Sequence, residues 1–213
     1  MLQLSNLDEI CKLLNERKVQ VPTYSDSAKS YVDRYKGRRG SMVVDVVASR
    51  QRRYDLYVIP KIVNLFDENS DGSLKFLADN PPEYLPLRAG EAKCMSQVAK
   101  ILLAFGNIDS SLDEDAICQN WAWLPSIYDE GGPNEWVSKV YDINGIGPAL
   151  LEYLRMRSGG DSLKVDVRVI EALGRAGVPV DSLTPKGVYE VSHLIATNLE
   201  ISMLELDQLL WGR

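Results

Sequence analysis

The segment Ile143-Asn144-Gly145-Ile146-Gly147-Pro148-Ala149 joins two helical patterns with almost no chain between them. Upstream lies Asn134 to Asp142, and downstream the amphipathic run Leu150 to Met156. Two glycines around one apolar residue describe a tight helix-to-helix turn, because glycine accepts backbone conformations that a Cβ penalises. Pro148 suits the first turn of the helix that follows. Such a turn leaves N–H groups unpaired at a helix N-terminus, where a phosphate fits. Asp166 follows 21 residues after Gly145 and 19 after Gly147, in the sequence Val165-Asp166-Val167-Arg168. It precedes a helical run to Leu173 and therefore takes the N-cap position, facing free amides and the positive end of a helix dipole. Taken alone, it reads as a capping aspartate.

Helical periodicity extends through nearly all of the chain. Leu7 to Leu14 shows it, with Ser5 and Asn6 as caps. A second helix runs from Asp26 towards Tyr35 and stops at Gly37 and Gly40. Met42 to Ala48 is rich in valine and has strand propensity, yet no other segment offers a strand to pair with it, so helix is expected. Further helices are expected over Tyr54–Phe66 around Pro60, Ser73–Leu77, Glu91–Phe105, Asp113–Trp121 and Asn134–Asp142. Others begin near Leu150, Asp166, Pro185 and Ser202, and Pro81, Pro82 and Pro86 mark the clearest break. The expected fold class is all-α.

A chain of 213 residues with 45% hydrophobic and 25% charged residues has room for one or two domains with proper cores. It contains neither an apolar run near the roughly 18 residues of a membrane span nor a secretory leader, so a cytoplasmic protein with no membrane partner is expected. Cys11, Cys94 and Cys118 are odd in number and scattered, which suits a reducing compartment better than a disulfide framework or a metal site. No metal and no cofactor are expected. His193, the sole histidine, is read as structural. The net charge of −6 opposes nucleic-acid binding overall, but Lys29, Arg34, Lys36, Arg38, Arg39, Arg50, Arg52 and Arg53 face only Asp33 and Asp45 in their stretch. That stretch is either a phosphate-binding stripe or a solvated face.

The hairpin and the aspartate together resemble the helix-hairpin-helix DNA glycosylases. Their hairpin reads Leu-Pro-Gly-Val-Gly, and their catalytic aspartate follows in a Val-Asp-Thr/Val-His type of motif. Gly145, Ile146, Gly147 and Asp166 match, while Asn144 replaces the usual proline and Arg168 the frequent histidine. The resemblance is specific over Ser41–Gln51 and Asp142–Leu173. It implies a two-lobed helical fold with the active site in the cleft between lobes. Residues 41–157 would form a six-helix bundle ending in the hairpin, and 1–40 with 158–213 the lobe that carries the aspartate. Some members hold an iron–sulfur cluster on four closely spaced C-terminal cysteines; here no cysteine follows Cys118.

By the same resemblance, Asp166 would be catalytic, its charge stabilising the cationic sugar that forms as the N-glycosidic bond breaks and orienting the attacking water. Members with strand-cleaving activity carry a lysine two residues beyond the second hairpin glycine. Ala149 stands there, so the chain would be monofunctional and leave an intact abasic site without a Schiff base. Lys164, close to Asp166 in sequence, lies on the wrong element for that role. Asn144, Gly145, Ile146 and Gly147 would bind DNA through the hairpin. Ser49-Arg50-Gln51 resembles the family's Ser-Ala-Gln, with Gln51 as the wedge that fills the stack and Arg50, Arg52 and Arg53 near phosphates. Trp121, Trp123, Tyr54 and Tyr128 are candidates for the base pocket, though large aromatics are more often core. The expected partner is double-stranded DNA with a flipped modified base, bound by a monomer. Alkylated purines come first as substrates because cationic bases leave readily. A bulky modified phage pyrimidine, and with it a defence role, comes second. The alternative is a non-catalytic helix-hairpin-helix DNA-binding module.

Overall fold

Met42 to Ala48 is helical, despite its valines. In a computed structural model, which describes residues 6–108 and 113–212, it belongs to α3 (Arg39–Ala48), all ten of whose residues are buried. A helix buried on every side lies at the centre of other helices, and its polar residues must then find partners there, as Asp45 does with Tyr35 and Tyr54 at 2.8 Å each. The described residues are helical and contain no strand, which makes the protein all-α.

The chain divides into two compact units, residues 34–160 and residues 1–33 with 161–213. In the first, α3 packs against α6 (Glu91–Ile108), α5 (Leu74–Asp79) and α9 (Pro148–Ser158). α7 (Glu114–Ala122) and α8 (Glu135–Tyr141) cover α6 and α9. Met42, Val46, Phe66, Leu77, Met95, Leu102, Trp121 and Leu151 lie in its core. The expected helix around Pro60 is a π-helix over Tyr54–Val63, continued by α4 (Asn64–Glu68). Proline has no N–H to give to an α-helical ladder, and a wider winding absorbs the gap.

The second unit contains α1 (Leu7–Gln20), α2 (Tyr24–Asp33), α10 (Val167–Arg175), α11 (Pro185–Asn198) and α12 (Met203–Trp211). Ile10, Leu14, Val169, Leu173, Val191, Ile195 and Leu206 meet in its core. Arg17 of α1 donates to the Leu209 carbonyl at 2.8 Å, tying the first helix to the last.

Residues read from sequence as helix starts are mostly caps one position earlier. Ser73, Asp113, Asn134 and Asp166 each accept a bond from an amide of the first turn, and Ser202 forms a full capping box with Glu205. Asn6 does not cap: its side chain donates to the Gly177 carbonyl at 3.0 Å instead, and Ser5 lies outside the described residues.

Candidate nucleic-acid interface

Two short bonds close the turn after α8: Ile143 N donates to Val140 O at 3.2 Å, and Ile146 N to Ile143 O at 2.9 Å. The side chains of Ile143 and Ile146 are buried and fix the turn to the unit beneath. Gly145 sits at φ +106, where a side chain would be strained. Gly147 is different. Its φ of −97 is ordinary, and a Cβ there would meet nothing within 4 Å. It caps α9, a position where serine or asparagine would serve at least as well. Nothing inside the protein requires glycine at 147. What glycine does provide is a bare backbone facing outward. Among the described residues, the amides of Gly145, Gly147 and Ala149 have no acceptor.

A groove of about 540 Å³ opens beside this turn, lined by Arg50, Lys93, Gln97, Lys100, Lys139, Asn144 and Gly145. Lys93, Gln97 and Lys100 are exposed on one face of α6, four and three residues apart. Lys139 is held by Glu135 at 2.6 Å and lies 3.8 Å over the Trp136 ring, which keeps its ammonium at the rim. Glu91 and Asp142 also line the groove, and Arg52 neutralises Glu91. Burial, then the Glu91 charge, pushes the Cys94 thiol up to about 11, so it faces the groove as a neutral group. Four cations beside unpaired amides give this groove a locally positive face.

The basic stretch from Lys29 to Arg53 does not act as one stripe. Arg39 is buried, paired with Asp115 and donating to the Arg157 carbonyl at 3.1 Å. Arg38 pairs with Asp67. Arg52, expected near a phosphate, gives both ends of its guanidinium to Glu91 at 3.0 and 2.7 Å, with 8% of its side chain exposed. That expectation is corrected: acidic residues distant in sequence already use these charges. Arg50 and Arg53 are exposed. No motif marks Lys93, Lys100 and Lys139 in the sequence, although the helical spacing of Lys93, Gln97 and Lys100 places those three on one face.

Comparison with protein-family models, with curated proteins and with solved structures finds no match.

Gln51 is exposed and sits at φ +52, a left-handed conformation that is rare outside glycine. Arg88 braces it, donating to the Gln51 carbonyl at 3.3 Å. Strain held in this way collects at functional sites. Gln51→Gly should therefore raise stability by about 1 kcal/mol in chemical denaturation. A fall in stability would show that the side chain is structural.

The aromatic candidates separate by burial. Trp121 is wholly buried, its Nε1 donating to the Trp136 carbonyl at 3.3 Å, and Tyr128 is 8% exposed. Neither offers a ring face to a base, so both leave the candidate pocket. Tyr54 is half-buried; its hydroxyl donates to Asp45 at 2.8 Å and accepts from Arg157 at 2.9 Å. Burial, with the Asp45 charge second, holds that hydroxyl above its usual pKa. Trp123 presents an open face, at 62% exposure. His193 is exposed on α11. Among the described residues no group of three or more His, Cys, Asp or Glu is placed to hold a metal ion, and no helix is long and apolar enough to cross a membrane.

In the other unit, Asp166 caps α10. Its Oδ1 accepts from the amides of Arg168 and Val169 at 2.9 and 3.1 Å, and its Oδ2 lies 3.5 Å from the Lys164 ammonium. Lys164 also donates its backbone N–H to Asp207 at 3.2 Å. Asp207 is buried on α12, and desolvation above all, with the Asp166 charge adding, pushes its carboxyl up to about 7. No motif marked Asp207 in the sequence.

Proposed function

We propose that the chain is a monofunctional DNA glycosylase of the helix-hairpin-helix type. It hydrolyses the N-glycosidic bond of a modified base and leaves an abasic site. The observation that carries this is Gly147: a glycine that neither backbone strain nor packing requires, at an outward-facing helix N-terminus with free amides beside a basic groove. A phosphate approaching the backbone there would exclude any side chain. Asp166 supplies the charge that stabilises the developing sugar cation. Alkylated purines remain the favoured substrates and bulky modified pyrimidines the second choice, as a defence activity. Ala149 leaves no lysine at the lyase position.

A second function has a specific observation in its favour. Asp166 Oδ1 is fully occupied as a helix cap, as a purely structural aspartate would be. The chain would then be a non-catalytic hairpin module that binds DNA and releases nothing. Incubation with a panel of base-modified duplexes, followed by alkaline cleavage at abasic sites, separates the two. Release from at least one duplex, without a borohydride-trapped adduct, is the expected result. A trapped adduct would point to Lys164 as a nucleophile. Release from no duplex would favour the binding module.

The hairpin has its own test. Gly147→Glu should weaken binding to modified and unmodified duplex alike by about tenfold or more, because it sets a negative charge where a phosphate sits. Folding should be unaffected, since the space is open. Normal DNA affinity in this variant would reduce the hairpin to a structural turn.

A further inference from the structure

The surface of α10 carries a feature that the hairpin and Asp166 do not use. Arg168, Glu171 and Arg175 are exposed at helical spacing and line one side of an open groove of about 550 Å³. The other side is formed by the end of α12, with Trp211, and by Arg17 and Val21 at the end of α1. The guanidinium of Arg168 lies over the Trp211 ring, its carbon 4.6 Å from the centroid. That cation–π contact restricts the guanidinium while leaving its charge available to an anion. Among the described residues, no ion pair engages Arg168 or Arg175. Arg17 donates to the Leu209 and Leu210 carbonyls at 2.8 and 3.4 Å, which offsets the negative end of the α12 dipole within the groove.

Buried surface does not account for two unpaired arginines with one carboxylate, Glu171, between them. We infer that Arg168 and Arg175 are phosphate contacts for a DNA strand that runs along α10, with Trp211 holding Arg168 in place. This rests on the glycosylase function proposed above, and the spacing is what ties it to DNA. Asp166 and Arg168 have Cα atoms at most about 7 Å apart, so a phosphate next to a sugar at Asp166 falls within guanidinium reach. Seven residues of helix separate Arg168 from Arg175, a rise of about 10 Å. Along a strand with one phosphate for about every 3.4 Å of axis, that spans about three nucleotides. A planar guanidinium gives two N–H groups to one phosphate, and so fits this ligand better than a lysine would.

The salt dependence of binding tests the inference. Affinity of the full chain for an unmodified duplex oligonucleotide would be measured from 50 to 200 mM salt for the wild type, Arg168→Gln, Arg175→Gln and the double variant. Each lost phosphate contact should lower the slope of log K against log salt by about 0.9, so the double variant should lose about tenfold of its sensitivity to salt across that range. Arg168→Lys should restore the slope, because it keeps the charge, while binding more weakly than arginine. Both side chains are exposed, so the variants should fold, and circular dichroism would check this. An unchanged slope in the double variant, with duplex still bound, would overturn the inference and leave the glycosylase function standing. Absence of duplex binding by the wild type at the lowest salt would overturn both.

Discussion

Asp166→Asn should lower base release by at least about a hundredfold while leaving affinity for the same duplex within several-fold. The expectation follows from the catalytic role proposed for this carboxylate and from its place as a helix cap. Its Oδ1 caps α10, and asparagine caps a helix about as well as aspartate, so stability should change by no more than about 0.5 kcal/mol. What the variant loses is the negative charge. A charge required only as the sugar becomes cationic affects the transition state and not the bound ground state, and single electrostatic groups of this kind contribute about 10²–10³ in rate. Loss of the ion pair with Lys164, 3.5 Å away and partly exposed, adds little to stability. Single-turnover base release and equilibrium binding on one modified duplex would be measured side by side. Unchanged release would remove Asp166 from the mechanism, and an equal fall in binding would make its role structural.

Asp207 should impose a steep pH dependence on stability. Its carboxyl is pushed up to about 7 in the folded chain, well above the ordinary aspartate value, because burial disfavours its charge and Asp166 repels it. The folded state therefore binds a proton that the unfolded state has already released. Its stabilising effect is complete below about pH 4 and declines as pH rises towards 7, by about 4 kcal/mol in all. Asp207→Asn keeps an oxygen for the Lys164 amide but removes the charge. The variant should show a flat profile over this range, and at pH 8 it should be more stable than the wild type. Urea unfolding of both proteins at pH 4.5, 6 and 8 decides the point; parallel profiles would show that Asp207 does not titrate with folding.

The helical class and most helix starts could be read from the sequence because their causes are local. Asp113, Asn134 and Ser202 cap the helices that follow them, and the valines of α3 had no strand to pair with. The turn at Gly145 was also legible, since its φ is set by the residue itself. The basic stretch was not. Whether an arginine is free depends on acids that folding brings to it, and Glu91 and Asp115 lie 39 and 76 residues from Arg52 and Arg39. Trp121 and Trp123 look alike in sequence, two positions apart at the end of α7, yet one is buried while the other is exposed. Pro60 signalled a disturbed helix but not a π-winding, which needs the packing of its neighbours to be defined.

The division of the chain has a consequence for how it acquires its structure. Residues 34–160 form one unit without interruption, whereas the other unit combines helices from both sides of that span. α1 and α2 emerge from the ribosome well before α10, α11 and α12, which supply most of the core they join. If the whole span stayed unfolded, bringing these parts together would close a loop of more than a hundred residues. Folding the middle first shortens the search, because it places Arg39 against the Arg157 carbonyl at 3.1 Å and so draws the two ends of the span together. Topology therefore requires that the discontinuous unit close late, because Arg17 can reach the end of α12 only after that helix has been made.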